Sequence, residues 1–290
     1  MDASRVAIVQ KGAMAACDRL DGLEDGIIED PRRCKFDPGV LLCKRGQDPA
    51  ACLDAAQVAA VRKLYARPTD ASGKVVYPAA QNPGSESDWP RFIFPEPGGD
   101  NIGYALWGGA GSLKYLAFEN DPGPDYDWTS FDPVRDGGKL AFMSKILDPD
   151  SPDLKAFEAA GGKLMVVHGW ADGAISAQVT IDWFEKMREF MGGRAATERF
   201  AQLYVVPGIK HGNGGAAPYE YDALTPLMKW AEEGIRPEQL LMKDDPYLRE
   251  DTPDFVKVPR SRPAFPWPAR AKYDGRGDPN SASSYRRVED

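Results

Sequence analysis

The chain has only two histidines, His168 and His211, so any imidazole chemistry must use one of them. His211 closes the stretch Pro207-Gly-Ile-Lys-His211 after one apolar run, and Asp172 closes His168-Gly-Trp-Ala-Asp172 after another. An acid on one strand-end loop and a histidine on the next is the back half of a Ser…Asp…His triad in α/β-hydrolase order. There the imidazole takes a proton from a hydroxyl nucleophile, while the carboxylate fixes its tautomer and stabilises the imidazolium. Taken singly, Asp172 could instead begin the following helix, where Asp is favoured near the N-terminus. His211 could be a loop residue without a task. Their order on adjacent strand ends favours the catalytic reading. His168 still belongs to the strand and reads as structural. No G-x-S-x-G nucleophile motif occurs in the sequence. Gly108-Gly-Ala-Gly-Ser112 is glycine-rich, but it follows no strand and precedes no clear apolar helix.

A second group is Cys17-Asp18-x-x-Asp21-Gly22-x-x-Asp25-Gly26-Ile27. Carboxylates of Asp18, Asp21 and Asp25, with carbonyls between them, suit a hard cation such as Ca²⁺ bound by oxygen. The spacing is not that of an EF-hand, and an acidic, glycine-rich surface loop is the alternative. The four cysteines, Cys17, Cys34, Cys43 and Cys52, include no C-x-x-C pair and read better as two local disulfides than as a zinc site. Sequential pairing would close short loops, adding ~2–4 kcal/mol each; four buried free thiols are the other possibility. Disulfides imply an oxidising compartment, yet MDASRVAIVQKG has neither the basic start nor the apolar core of a signal peptide. The two agree if Met1 is an internal position of a longer exported precursor.

The elements that must position these groups follow from local patterns. Residues 3–16 are Ala-rich and predict a helix. Asp54-x-x-Gln57 is a capping box opening a helix from Ala55 to Arg67, which Pro68 ends. From Thr69 to about Asp136 the text is rich in Gly, Pro and aromatics and predicts irregular, well-packed structure. Pro152–Ala160 predicts a short helix, and Lys163–His168 is a continuous apolar run, as in a parallel strand buried on both faces. Ile175, Val179, Trp183, Met187 and Phe190 recur at helical spacing. Phe200–Val206 is a second strand and Tyr219–Glu233 another helix. Strand, helix, strand, helix is the pattern of an α/β sheet. After Lys243 the chain turns Pro-rich and charged and is expected to wrap the surface.

Composition bounds the rest. The 290 residues are 42% hydrophobic, 10% aromatic and 28% charged, as in a globular protein. A net charge of −8 repels phosphates and argues against nucleic acid as a partner. No apolar run approaches the roughly 20 residues that span a bilayer, so no membrane is expected. Two parallel strands alone would leave edges and faces unburied, so further strands and the serine are expected on an upstream segment or another polypeptide.

Taken together, the sequence resembles the tannase and feruloyl esterase family of α/β-hydrolases. The resemblance runs over nearly the whole chain, through CDRLDGLEDGIIEDPRRCKFDP, ACLDAAQVAAVRKLYARP, GSESDW, PDLKAFEAAGGKLMVVHGWADGAI and YVVPGIKHGNGG. It implies a large lid domain inserted into a hydrolase core, with residues 1–150 forming most of the lid and 151–290 the C-terminal part of the catalytic domain. It implies structural Ca²⁺ on Asp18, Asp21 and Asp25 with carbonyls of Leu23 and Ile27, and disulfides Cys17–Cys34 and Cys43–Cys52. Asp172 and His211 fall on the family's catalytic acid and base. The substrates implied are esters of aromatic acids such as ferulate and gallate, on which Trp107 or Tyr115 could stack, and the location implied is secreted or periplasmic. Two departures stand out. The family's nucleophile, in Gly-Cys-Ser-x-Gly-Gly, lies upstream of the lid and is not in this chain. Gly212 stands where the family usually has a cysteine bridged to the one before the serine. The expectation is therefore an α/β chain with half of a serine esterase triad. The alternative is a non-catalytic, calcium-binding, lid-bearing subunit that needs an upstream partner.

Overall fold

The computed structural model describes residues 1–94, 104–245 and 259–289, without the side chains of residues 104–107. Helix α1 (Ala3–Cys17) opens on Asp2, whose carboxylate accepts the Arg5 N–H at 2.9 Å. Its apolar face buries Val6, Val9 and Ala13. Helix α2 (Ala55–Leu64) opens on the expected capping box of Asp54 and Gln57. The two helices, with Leu53 and Trp89, enclose the first core cluster. Between them Cys17–Cys34 and Cys43–Cys52 are bonded, closing separations of 17 and 9 residues.

The stretch expected to be irregular contains short helices: α3 (Trp89–Phe92), α4 (Tyr104–Tyr115) and α5 (Pro133–Asp136). The glycine-rich segment 108–112 lies inside α4, because tertiary placement overrides the ~1 kcal/mol penalty that each helical glycine carries. Helices α6 (Ala141–Leu147) and α7 (Lys155–Ala159) follow.

The C-terminal half is α/β, as expected. Strand β1 (Leu164–Gly169) leads through α8 (Ala177–Phe190) and α9 (Arg194–Thr197) to β2 (Ala201–Val206). The strands run parallel, with Leu164 opposite Ala201 and Gly169 opposite Val206. Helix α8 lays Ile181, Phe184 and Met187 against Phe200 and Leu203, the second core cluster. Among the described residues β2 is the only strand beside β1, and β1 is half-buried from Leu164 to His168. Helix α10 (Leu224–Glu233) follows, starting later than its sequence pattern suggests.

The tail does not merely wrap the surface. It forms β3 (Leu240–Lys243) antiparallel to β4 (Ser261–Ala264), then β5 (Arg270–Tyr273) antiparallel to β6 (Tyr285–Val288). Arg262, Ala264, Ala269 and Ala271 are buried. Four-residue strands with a proline at position 263 carry too little periodicity to be read from sequence. In the third core cluster Ile27, from the acidic N-terminal loop, packs on Tyr204, Val206, Met242 and Ala264. The two ends of the chain therefore share a core.

Candidate active site

Ligand sites in open parallel sheets form beyond the carboxyl ends of the strands, and both predicted site residues stand there. Strand β1 ends at Gly169, where a Cβ would fall 2.2 Å from the Ile209 carbonyl oxygen. Only glycine lets the loop after β1 press so closely against the loop after β2. The Ala171 N–H then donates to Ile209 O at 3.0 Å, which places Asp172 beside His211.

Asp172 is buried. Its Oδ1 accepts the N–H groups of Ala174 and Ile175 at 2.8 and 2.7 Å. Its Oδ2 lies 2.9 Å from His211 Nδ1. Asp172 does not begin α8, whose N-cap is Ser176; it organises the turn ahead of that helix and holds a histidine. Burial opposes ionisation of Asp172, but hydrogen bonds from His168, the Ile175 N–H and His211 outweigh it and keep the carboxyl below its ordinary value.

A carboxylate can only accept, so His211 Nδ1 carries a proton and, in the neutral ring, Nε2 presents a lone pair. Among the described residues none bonds to Nε2. The imidazole is part-exposed, with the Phe92 ring edge-on at a centroid separation of 5.0 Å. A hydroxyl brought to Nε2 would meet a base already oriented from behind.

Two residues belong to this site beyond the predicted pair. His168 reaches it from inside β1: Nδ1 lies 2.8 Å from Thr180 Oγ1, and Nε2 lies 3.0 Å from Ile175 O and 3.3 Å from Asp172 Oδ2. It is held as a structural histidine would be, and it also touches the acid. Asp88 was not singled out by sequence reasoning. Its Oδ2 accepts the N–H groups of Gly173 and His211, each at 3.1 Å. Its only signal was the GSESDW passage that contributed to the family resemblance. Of the aromatics named for stacking, the Trp107 side chain lies outside those described, and Tyr115 is exposed.

The acidic loop is a separate site. Asp18 accepts the N–H groups of Asp25 and Gly26 at 3.3 and 3.1 Å, Asp21 that of Leu23 at 3.0 Å, and Asp25 that of Ile27 at 3.1 Å. Arg262, from β4, reaches Asp25 at 3.0 Å, Asp21 at 3.4 Å and Glu29 at 2.6 Å. Burial raises Asp25, partly offset by Arg262, and pushes Glu29 up to about 7. Burial alone would depress Arg262; Glu29, Asp25 and Asp21 more than reverse it. In chemistry the set suits a hard cation, being all oxygen, with three carboxylates paired to one guanidinium and Asp18 beside them. In placement, among the described residues no three acidic, imidazole or thiolate groups converge as a metal cage would.

A parallel βαβ unit whose strand ends hold a carboxylate hydrogen-bonded to a histidine defines an α/β-hydrolase type of structure. More narrowly, the chain belongs to the tannase and feruloyl esterase family, which matches residues 1–288. Among curated relatives, an uncharacterized esterase of Xanthomonas campestris is 28% identical over 98% of this chain and 54% of its own length. The mono(2-hydroxyethyl) terephthalate hydrolase of Piscinibacter sakaiensis is 30% identical over 96% of this chain and 50% of its own. A probable feruloyl esterase B-1 of Aspergillus flavus is 29% identical over 80% and 45%. The crystal structure of an esterase from Aspergillus oryzae superposes with a TM-score of 0.84 at 26% identity, covering 99% of this chain and 57% of that one. The chain thus spans about half the length of the relatives it matches.

Proposed function

We propose that this chain supplies the acid and base of a serine carboxylic ester hydrolase acting on esters of aromatic acids. The observation that carries the reading is the 2.9 Å contact between His211 Nδ1 and Asp172 Oδ2, with Nε2 left open. A serine hydroxyl attacks the ester carbonyl while Nε2 takes its proton. The imidazolium formed is stabilised by Asp172 and then returns the proton to the leaving alcohol; a second cycle with water releases the acid. The sequence holds no G-x-S-x-G, so the serine and its oxyanion hole belong to a polypeptide segment outside these 290 residues. That segment would also cover the open side of β1. Aromatic-acid esters are chosen from the names of the relatives, a terephthalate ester hydrolase and feruloyl esterases.

Residues 1–150 fit the role of the lid over this site, since Asp88 and Phe92 reach His211 from that half. Within it the acidic loop is proposed as a Ca²⁺ site, with side-chain oxygens of Asp18, Asp21 and Asp25 and carbonyls of Leu23 and Ile27. The support is the excess of buried carboxylate over the single Arg262 guanidinium. Bound there, Ca²⁺ would stabilise the loop by neutralising charge and take no part in the reaction. A secreted or periplasmic location fits two disulfides, and among the described residues no helix is long and apolar enough to cross a membrane.

The test is hydrolysis of p-nitrophenyl acetate and methyl ferulate by the chain alone and by the chain co-expressed with a family segment bearing the nucleophile, each beside His211→Ala. Turnover only in the combination, lost in His211→Ala, is the expected result. No turnover in the combination identifies a non-catalytic subunit. Turnover by the chain alone places the nucleophile within it.

A further inference from the structure

We propose that Asp88 is a positioning residue that sets Asp172 and His211 relative to one another through the backbones of their two loops. The proposal rests on the acid–base reading of that pair. Asp88 is 3% exposed, and one of its oxygens accepts from both Gly173, next to the acid, and His211 itself, at 3.1 Å each. These contacts bridge 85 and 123 residues of sequence. A buried carboxylate is retained only where donors compensate its lost hydration. Here the compensation comes from the two loops that carry the reacting groups.

The local alternative for Asp88 is helix capping, since it stands at the N-cap of α3. Yet its side chain makes no capping hydrogen bond there. The contact with the acid loop is also shaped for it: a Cβ on Gly173 would fall 2.8 Å from Asp88 Cβ and 3.3 Å from Trp89 Cδ1. The segment around Asp88 grips the same loops at further points. Gln81 donates to Gly173 O at 3.3 Å, and the Phe92 ring stands against the imidazole. The His211 loop needs such an anchor. Its backbone bonds, Lys210 N–H to Gly214 O within the loop and Ala171 N–H to Ile209 O across to the acid loop, do not involve the His211 peptide itself, and Gly212 follows the histidine at φ +80°. A charge-assisted bond from outside fixes what the loop does not fix for itself.

The experiment compares Asp88→Ala, Asp88→Asn and a control, Glu86→Gln, by amide hydrogen exchange and by the NMR signal of the His211 Nδ1 proton. Glu86 is buried in the same segment but bonds Gly84 and Tyr65 rather than the two loops. With only two imidazoles in the chain, His168→Gln assigns the signals. Expected in Asp88→Ala is exchange about tenfold faster at the Gly173 and His211 amides, the ratio one charge-assisted hydrogen bond supports. The Nδ1 proton signal should broaden or vanish. Asp88→Asn, which keeps an acceptor without the charge, should lie between wild type and Asp88→Ala, and Glu86→Gln should leave both readouts in place. In the combination bearing the nucleophile, kcat should fall in Asp88→Ala with KM unchanged. A folded Asp88→Ala with wild-type exchange and an intact Nδ1 signal would overturn the proposal. So would global unfolding of both Asp88 variants, which would assign Asp88 to stability alone. If the wild-type combination shows no turnover, only the functional reading fails, because exchange and the proton signal need none.

Discussion

The Asp172 site and the acidic loop both bury carboxylates, but they neutralise them by different means. At Asp172 the charge is met by two backbone N–H groups and two imidazoles, and no guanidinium or ammonium pairs with it among the described residues. In the acidic loop Asp21, Asp25 and Glu29 all lean on one buried guanidinium, Arg262. Backbone dipoles are fixed in direction and cannot leave, so the first arrangement holds a geometry. A shared ion pair concentrates compensation in one side chain, so the second depends chiefly on Arg262, with Arg270 acting on Glu29 as well. The first suits a group that must orient a base; the second suits a joint between distant parts of the chain.

The sharpest way to break this contrast is Asp172→Asn. Geometry should survive, because an amide oxygen still accepts from Ala174 and Ile175, but the histidine tautomer is lost. In the combination bearing the nucleophile kcat should fall by about 10⁴, read by steady-state hydrolysis, while the urea midpoint hardly moves. A large stability loss would show that the two sites are not so different. Arg262→Met tests the other side. It leaves buried carboxylates unpaired and should destabilise by roughly 3–5 kcal/mol in urea unfolding, without touching the Asp172–His211 contact.

Much of the Asp172 site was legible because strand ends are legible. Two apolar runs locate β1 and β2, and the first acid and histidine beyond them are the pair that the structure brings together. Asp88 and Arg262 were not, for a shared reason. Each does its work across more than 80 residues, and local periodicity carries no information about a partner at that distance. Arg262 looked like one charge in a charged tail, and only the fold buries it. The tail strands were hidden by their length, and α4 by its glycines.

A third prediction sharpens the contrast at Glu86, a buried carboxylate with neither a cation nor a catalytic partner. Burial outweighs its bonds from Tyr65 and Gly84 and pushes it up to about 7. Unfolded, it titrates near ~4.3, so across that window the folded state binds more protons. Stability should therefore fall as pH rises from about 4.3 to about 7, by roughly 3 kcal/mol for this group, and level off above. Urea unfolding of wild type and Glu86→Gln at several pH values should show the variant lacking that part of the slope. The smallest effect is expected for Thr180→Val. It removes the hydroxyl on His168 Nδ1 and should cost about 1 kcal/mol in thermal unfolding, with a several-fold loss of kcat at most. A loss as large as that of Asp172→Asn would promote His168 from support to participant.

The span of the Arg262 joint also has a consequence in time. Arg262 and Asp21 are 241 residues apart. At ~5–20 residues per second, a translating ribosome needs roughly 10–50 s to deliver the guanidinium after the aspartate. Through that interval the N-terminal carboxylates have no Arg262 to close on, and Ile27 lacks the strands that cover it. The nascent chain must therefore carry a negatively charged and partly apolar loop without its Arg262 partner while those 241 residues are made. That makes the loop the place where a chaperone, or a cation, would act first.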